Sequence, residues 1–251
     1  MSIRLDPRRI SGAIVLAALA EGWRQLRGCL KPAAGFAAVF VLIGLLIFAL
    51  LLRLDLAQMI LPFAGGFLLV GPAVLSGFIA LRRARAAGLR PGLGQVLAAF
   101  RGAPRGLWVV AGVCALLFLI WITDAATVYS FMIGVGAAPE VGQVLRFHGF
   151  TGVMGAVLAF IVFCISAFSV PLLFDRRANL VEAVTASVKA VFSNVGAMLV
   201  WGLVLAVAVI ATILCPPLLL LSLPCLAFAS DLIYLEIFPP DEGLPDTSPL
   251  V

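Results

Sequence analysis

Long apolar runs separated by short charged links dominate the chain. Ala33 to Leu52 carries no charge, and after Arg53-Leu54-Asp55 the run from Ala57 to Leu81 is again uncharged until Arg82-Arg83-Ala84-Arg85 stops it. A third run starts at Gly106, is uncharged as far as Thr123 and continues more weakly past Asp124 to Val135. The fourth, Gly149 to Phe174, ends on Asp175-Arg176-Arg177. Pro216-Pro217 closes the fifth, Val195 to Cys215, because proline lacks a donor and clashes with the preceding turn. The sixth, Leu218 to Leu235, is interrupted at Pro224 and carries Asp231 near its end. A helix of about 20 apolar residues crosses roughly 30 Å of hydrocarbon, where every backbone polar group must be paired inside the segment. The expected fold class is an all-α membrane protein with six transmembrane helices, spanning about 33–52, 57–81, 106–126, 149–174, 195–215 and 218–235.

Three shorter segments carry a different pattern. In residues 10–30, Leu16, Leu19, Trp23, Leu26 and Leu30 recur at three- and four-residue spacing with Glu21, Arg24, Gln25 and Arg27 largely opposite, which predicts an amphipathic interfacial helix. Residues 93–101 and 179–192 are expected to form two more. The order of surface helix, entering span, short turn and returning span with a proline then occurs three times, through Pro72, Pro171 and Pro224. That order implies a single domain over 1–238, built as three co-oriented repeats, with an acidic, Pro-rich, disordered tail over 239–251. Inverted repeats, the pattern of many alternating-access transporters, are not what this arrangement shows. The opening arginines, the apolar stretch Ile10 to Ala20 and the Ala18-Leu19-Ala20 triplet imitate a cleavable leader, but the helical pattern runs on past Ala20.

Charge sets the orientation. Lys and Arg near the spans stay on the cytoplasmic side, and of the 17 basic residues only Arg53 and Arg146 fall on the other face of the six-span weave. Both termini are therefore expected in the cytoplasm. Composition agrees, with 63% hydrophobic and 12% charged residues against about 25% charged in soluble domains. The basic stretch Arg82, Arg83 and Arg85 is expected to touch anionic lipid headgroups, and nucleic acid is excluded because no folded basic module stands clear of the membrane.

Candidate chemistry is sparse. Ionisable groups inside a membrane are functional candidates by default, and only Asp124 and Asp231 qualify. Each is read first as an interfacial or packing residue, with an ion or proton path as the competing reading. His148, the single histidine, falls in Pro139 to Phe150, where a short interfacial helix is expected, and is read as a polar interfacial residue. One imidazole builds neither a haem nor a copper centre. Cys29, Cys114, Cys164, Cys215 and Cys225 lack CxxC spacing and read as small packing residues, with Cys29 placed where an acyl chain could be attached. No phosphate loop or Ser/His/Asp arrangement occurs. No catalytic, cofactor-binding or metal-ligating residue is assigned.

Four stretches nevertheless carry a resemblance: GWRQLRGCLKP at Gly22 to Pro32, PFAGGFLLVGP at Pro62 to Pro72, Ile165 through SVPLLFDR to Arg176, and LVEAVTASVKAVFSNVGAMLVW at Leu180 to Trp201. With these the chain resembles a family of bacterial integral membrane proteins, domain of unknown function 2189. The resemblance implies a multi-spanning bacterial membrane protein and supplies no activity or catalytic residue. Some members are labelled as cytochrome c oxidase components, a role that His148 alone allows only to an accessory subunit. The expectation is a non-catalytic inner-membrane protein acting as an accessory, assembly or scaffold subunit beside a membrane-protein partner, with a small-solute or lipid transporter as the alternative.

Overall fold

The computed structural model describes residues 5–67, 71–134 and 140–240, and the regular structure among them is all helical. In chain order it runs α1 (Gly12–Arg27), α2 (Leu30–Arg53), a 3-10 turn (Ala57–Met59), α3 (Ile60–Phe67) and α4 (Gly71–Ala86). Then follow α5 (Leu93–Gly102), α6 (Arg105–Met132), α7 (Val141–Ser166) and α8 (Ser169–Phe174). The chain closes with α9 (Leu180–Ser193), α10 (Val195–Leu214), a second 3-10 turn (Pro216–Leu218) and α11 (Leu219–Ile237). The expected tail over 239–251 falls largely outside the described residues.

Among the described residues, five stretches are long and apolar enough to cross a membrane: α2, α6, Val141–Phe174, α10 and Pro216–Ile237. The expected span 57–81 appears as a 3-10 turn, α3 and α4 on either side of 68–70, which lie outside the described residues. The fourth span begins earlier than its hydropathy suggests. Nothing between Val141 and Phe150 breaks a helix, and the Glu140 backbone N–H is satisfied by Gln143 Oε1 at 3.0 Å, so α7 is continuous from Val141 and no separate interfacial helix precedes it within the described residues.

Side chains on the outer faces of the long helices are apolar and uncovered: Leu46 is 70% exposed and Leu199 67%. Surface of that kind is stable against lipid tails and costly against water. The interior divides between the two ends of the bundle. Val15, Leu107, Phe168, Leu172, Trp201, Ile233 and Tyr234 belong to one large cluster. Leu51, Met59, Trp121, Tyr129 and Phe147 form another beside the links that follow α2 and α6.

Both ends of the described chain meet at the first of these ends. The Arg8 N–H donates to Ile237 O at 3.0 Å, and the Ile10 N–H donates to Asn194 Oδ1 at 2.7 Å. Asn194 Nδ2 in turn donates to Arg8 O at 3.1 Å and to Ala190 O at 3.0 Å. This asparagine sits between α9 and α10, so one amide straps the extended segment before α1 to that junction. Beyond the strap, α1 buries Val15, Ala18, Gly22 and Leu26. At Gly22 a Cβ would stand 2.9 Å from Cys225 O and 3.0 Å from Ala229 N, so only glycine lets α1 approach α11 this closely. One face of the leader-like stretch Ile10 to Ala20, through Val15 and Ala18, is thus built into the core.

Candidate functional site

The strongest concentration of chemistry lies where α4, α8 and α11 end together. Asp231 on α11 is 1% exposed and Arg82 on α4 is 7% exposed. Arg82 Nε donates to Asp231 Oδ2 at 2.5 Å, and its Nη2 pairs with the same oxygen. Arg83 bridges two carboxylates: Nη2 reaches Asp231 Oδ1 at 3.0 Å, while Nη1 and Nη2 both contact Asp175, which follows α8. The guanidinium of Arg83 also stands 5.5 Å from the centre of the Phe174 ring, within cation–π range. Tyr234, one helical turn beyond Asp231, donates to Asp175 Oδ2 at 2.7 Å. Arg177 closes the network, donating to Tyr234 Oη at 3.3 Å, to Phe238 O at 2.7 Å and to Pro239 O at 2.9 Å. Those last two bonds satisfy carbonyls at the C-terminal end of α11, where a cation also suits the helix dipole.

Local sequence explains the assembly. Asp231 and Tyr234 are three residues apart and therefore share a face of α11. Arg82 and Arg83 are adjacent, so they approach that face from different angles. After α8 the chain turns through Arg176, whose φ of 53° is left-handed, and the Arg177 N–H bonds back to Leu172 O at 3.0 Å. This closing turn aims Asp175 inward and Arg177 at α11. Asp231 and Asp175 offset the cost of burying the Arg83 guanidinium. Three guanidiniums thus face two carboxylates and a phenol. The arrangement can lock three helices to one another, since removing one member leaves an uncompensated buried charge at about 3–5 kcal/mol.

The residues singled out by sequence fare differently. Asp231 is the centre of the network. Arg82 and Arg83, expected at lipid headgroups, instead turn inward because partners of opposite sign lie within reach; Arg85 remains exposed. Asp124 is exposed on α6 and lies among hydroxyls that bond their own helix: Thr123 Oγ1 donates to Leu119 O at 2.8 Å and Thr127 Oγ1 to Thr123 O at 2.8 Å. His148 lies within α7, half-buried, its Nδ1 2.9 Å from Val144 O. The structure therefore brings Asp231, Arg82 and Arg83 together and leaves Asp124 and His148 apart. Cys29 is 4% exposed, and burial pushes its thiol pKa up, partly offset by Arg85, which suits packing rather than acylation. Sequence reasoning missed Asp175, Arg177, Tyr234 and Asn194. The Asp231/Tyr234 spacing was a usable signal; Asp175 and Arg177 looked only like a charged stop after a span.

An all-helical bundle with several helices of membrane-crossing length defines an integral membrane protein. Residues 60–175 match the family DUF2189, described as a predicted integral membrane protein. Of the resembling stretches, Pro62 to Pro72 falls wholly inside this match and Ile165 to Arg176 almost wholly, while those at Gly22 and Leu180 lie outside it. No curated protein and no solved structure matches the chain.

Proposed function

We propose that the chain is a non-catalytic accessory, assembly or scaffold subunit of a bacterial inner membrane, bound laterally to a larger membrane complex. The observation that carries this reading is the commitment of charge. Asp231, the most deeply buried carboxylate described, is held by two arginines, one of which, Arg83, also binds Asp175, so the network serves as a clamp between α4, α8 and α11. Around it, the outer faces of α2, α6, α7 and α10 present broad apolar surface for packing against another membrane protein. A transport path would draw on Asp124 and Asp231. Since Asp231 is clamped and Asp124 faces outward, the scaffold reading is favoured.

In the same reading the chain crosses six times, as three co-oriented units, with both termini cytoplasmic. The contact between Arg8 and Ile237 supports an even number of crossings, because five would leave these residues on opposite faces. The crossing beyond the five long candidates is supplied by α3 with α4. Basic residues concentrated at the terminal end supply the orientation. Gentle extraction from the native membrane, followed by native-gel separation and mass identification, tests the function: co-migration with a defined set of membrane proteins is expected. Migration only as an isolated protomer would count decisively against it.

A further inference from the structure

We propose that the groove between α1, α10 and α11 binds one anionic phospholipid, with an acyl chain lying along α10 and α11 and the phosphate at Arg27. The groove has about 490 Å³ of open volume and is walled by hydrocarbon, including Leu203 and Val207 of α10 and Leu218 and Leu221 near the start of α11. Two helices of membrane-crossing length form its sides, so the material that meets it is lipid tail. From Leu218 to Leu226 its wall extends about 12 Å along the helix, long enough for the upper part of one acyl chain.

Its occupant is indicated by what closes one end. There α1 contributes Leu19 and Trp23 to the lining. Leu19, Trp23 and Arg27 succeed one another at four-residue spacing, so they follow one flank of α1, from hydrocarbon through indole to cation. Tryptophan is characteristic of the headgroup level, and Trp23 is 42% exposed. Arg27 is exposed and has no hydrogen bond or ion pair among the described residues. Of the cations around it, Arg24 pairs with Glu21, and Arg82 and Arg83 pair with Asp231 and Asp175, while Arg85 lies exposed against Gly28. A free guanidinium beside an interfacial indole offers paired donors to phosphate, which lysine or a neutral side chain would not. Of the α4 cations that the sequence placed at headgroups, Arg85 alone stays exposed, and Arg27 of α1 joins it on that side. This inference needs only that α10 and α11 lie in the bilayer, and it stands apart from the lateral partner proposed above.

The test uses the full chain, delipidated in mild detergent and offered equal amounts of phosphatidylglycerol and phosphatidylcholine with identical acyl chains; retained lipid is counted by native mass spectrometry. Phosphatidylglycerol should be retained over phosphatidylcholine by about fivefold, the factor expected for one cation acting on an anionic headgroup. Arg27→Gln, a surface change that leaves the packing intact, should bring the two lipids to parity. Ala208→Phe, which fills the groove from α10, should reduce retention of both. An absent preference in the wild type, or an unchanged preference in Arg27→Gln, would overturn the proposal even if Ala208→Phe proved unstable. Loss of co-migrating proteins with lipid preference intact would fault the scaffold reading alone.

Discussion

At the terminal end of the bundle Arg82, Arg83, Arg177, Asp175 and Asp231 turn inward on one another, whereas near the opposite end Asp124 and Arg146 stay exposed on α6 and α7. The difference lies in the partners available. Where α4, α8 and α11 converge, Arg82, Arg83, Asp175 and Asp231 each meet a charge of opposite sign, Arg177 meets a phenol and two carbonyls, and burial becomes tolerable. Around the second core cluster the interior is instead aromatic: Tyr129 and Phe147 stack edge to face at 5.7 Å, and the Trp121 indole donates to Pro62 O at 2.9 Å. Charged residues there, without an opposite charge from a neighbouring helix, remain at the surface. One end is held by ion pairs with strict geometry, and the other by rings and a single indole bond.

Breaking the clamp should have the largest effect. Asp231→Ala leaves Arg82 and Arg83 facing each other without their shared carboxylate, and should cost about 3–5 kcal/mol, read as a lowered midpoint in thermal unfolding of the detergent-solubilised protein. A wild-type midpoint would refute the clamp. Next is the seam between α1 and α11: Gly22→Leu forces a side chain into Cys225 O and Ala229 N, and should cost about 1–3 kcal/mol while speeding tryptic cleavage after Arg24 and Arg27. Unaltered cleavage would show that α1 does not depend on that approach. At the aromatic end, Trp121→Phe keeps most of the ring packing and removes the bond to Pro62, so a loss of about 1 kcal/mol is expected in the same assay. Asp124→Asn should change the midpoint least, by under about 0.5 kcal/mol, and leave proton flux in reconstituted vesicles as in the wild type. A marked stability loss would contradict its surface placement, and altered flux would revive the transport reading.

Much of the helical framework was legible in the chain because hydropathy and breakers are local. The apolar run Val195 to Cys215 corresponds to α10 within one residue, and Asn179 with Glu182 caps α9 reciprocally at 3.0 Å in each direction, a four-residue signal. The start of α7 was obscured because Gln143, Arg146 and His148 lower the apolarity of its first turns without breaking the helix. The candidate site was only half legible. Asp231 drew notice as a charge in an apolar run, yet Arg82 and Arg83 looked like a stop sequence, and the separation of 149 positions between Arg82 and Asp231 leaves no local trace.

The sequence by itself determined that this is a helical membrane protein, since an apolar run of membrane length can satisfy its backbone only as a helix, whatever surrounds it. Only the tertiary structure decided which charges are structural. Whether an arginine meets a headgroup or a buried aspartate depends on what the other helices bring within a few ångströms, and that distance is a property of packing.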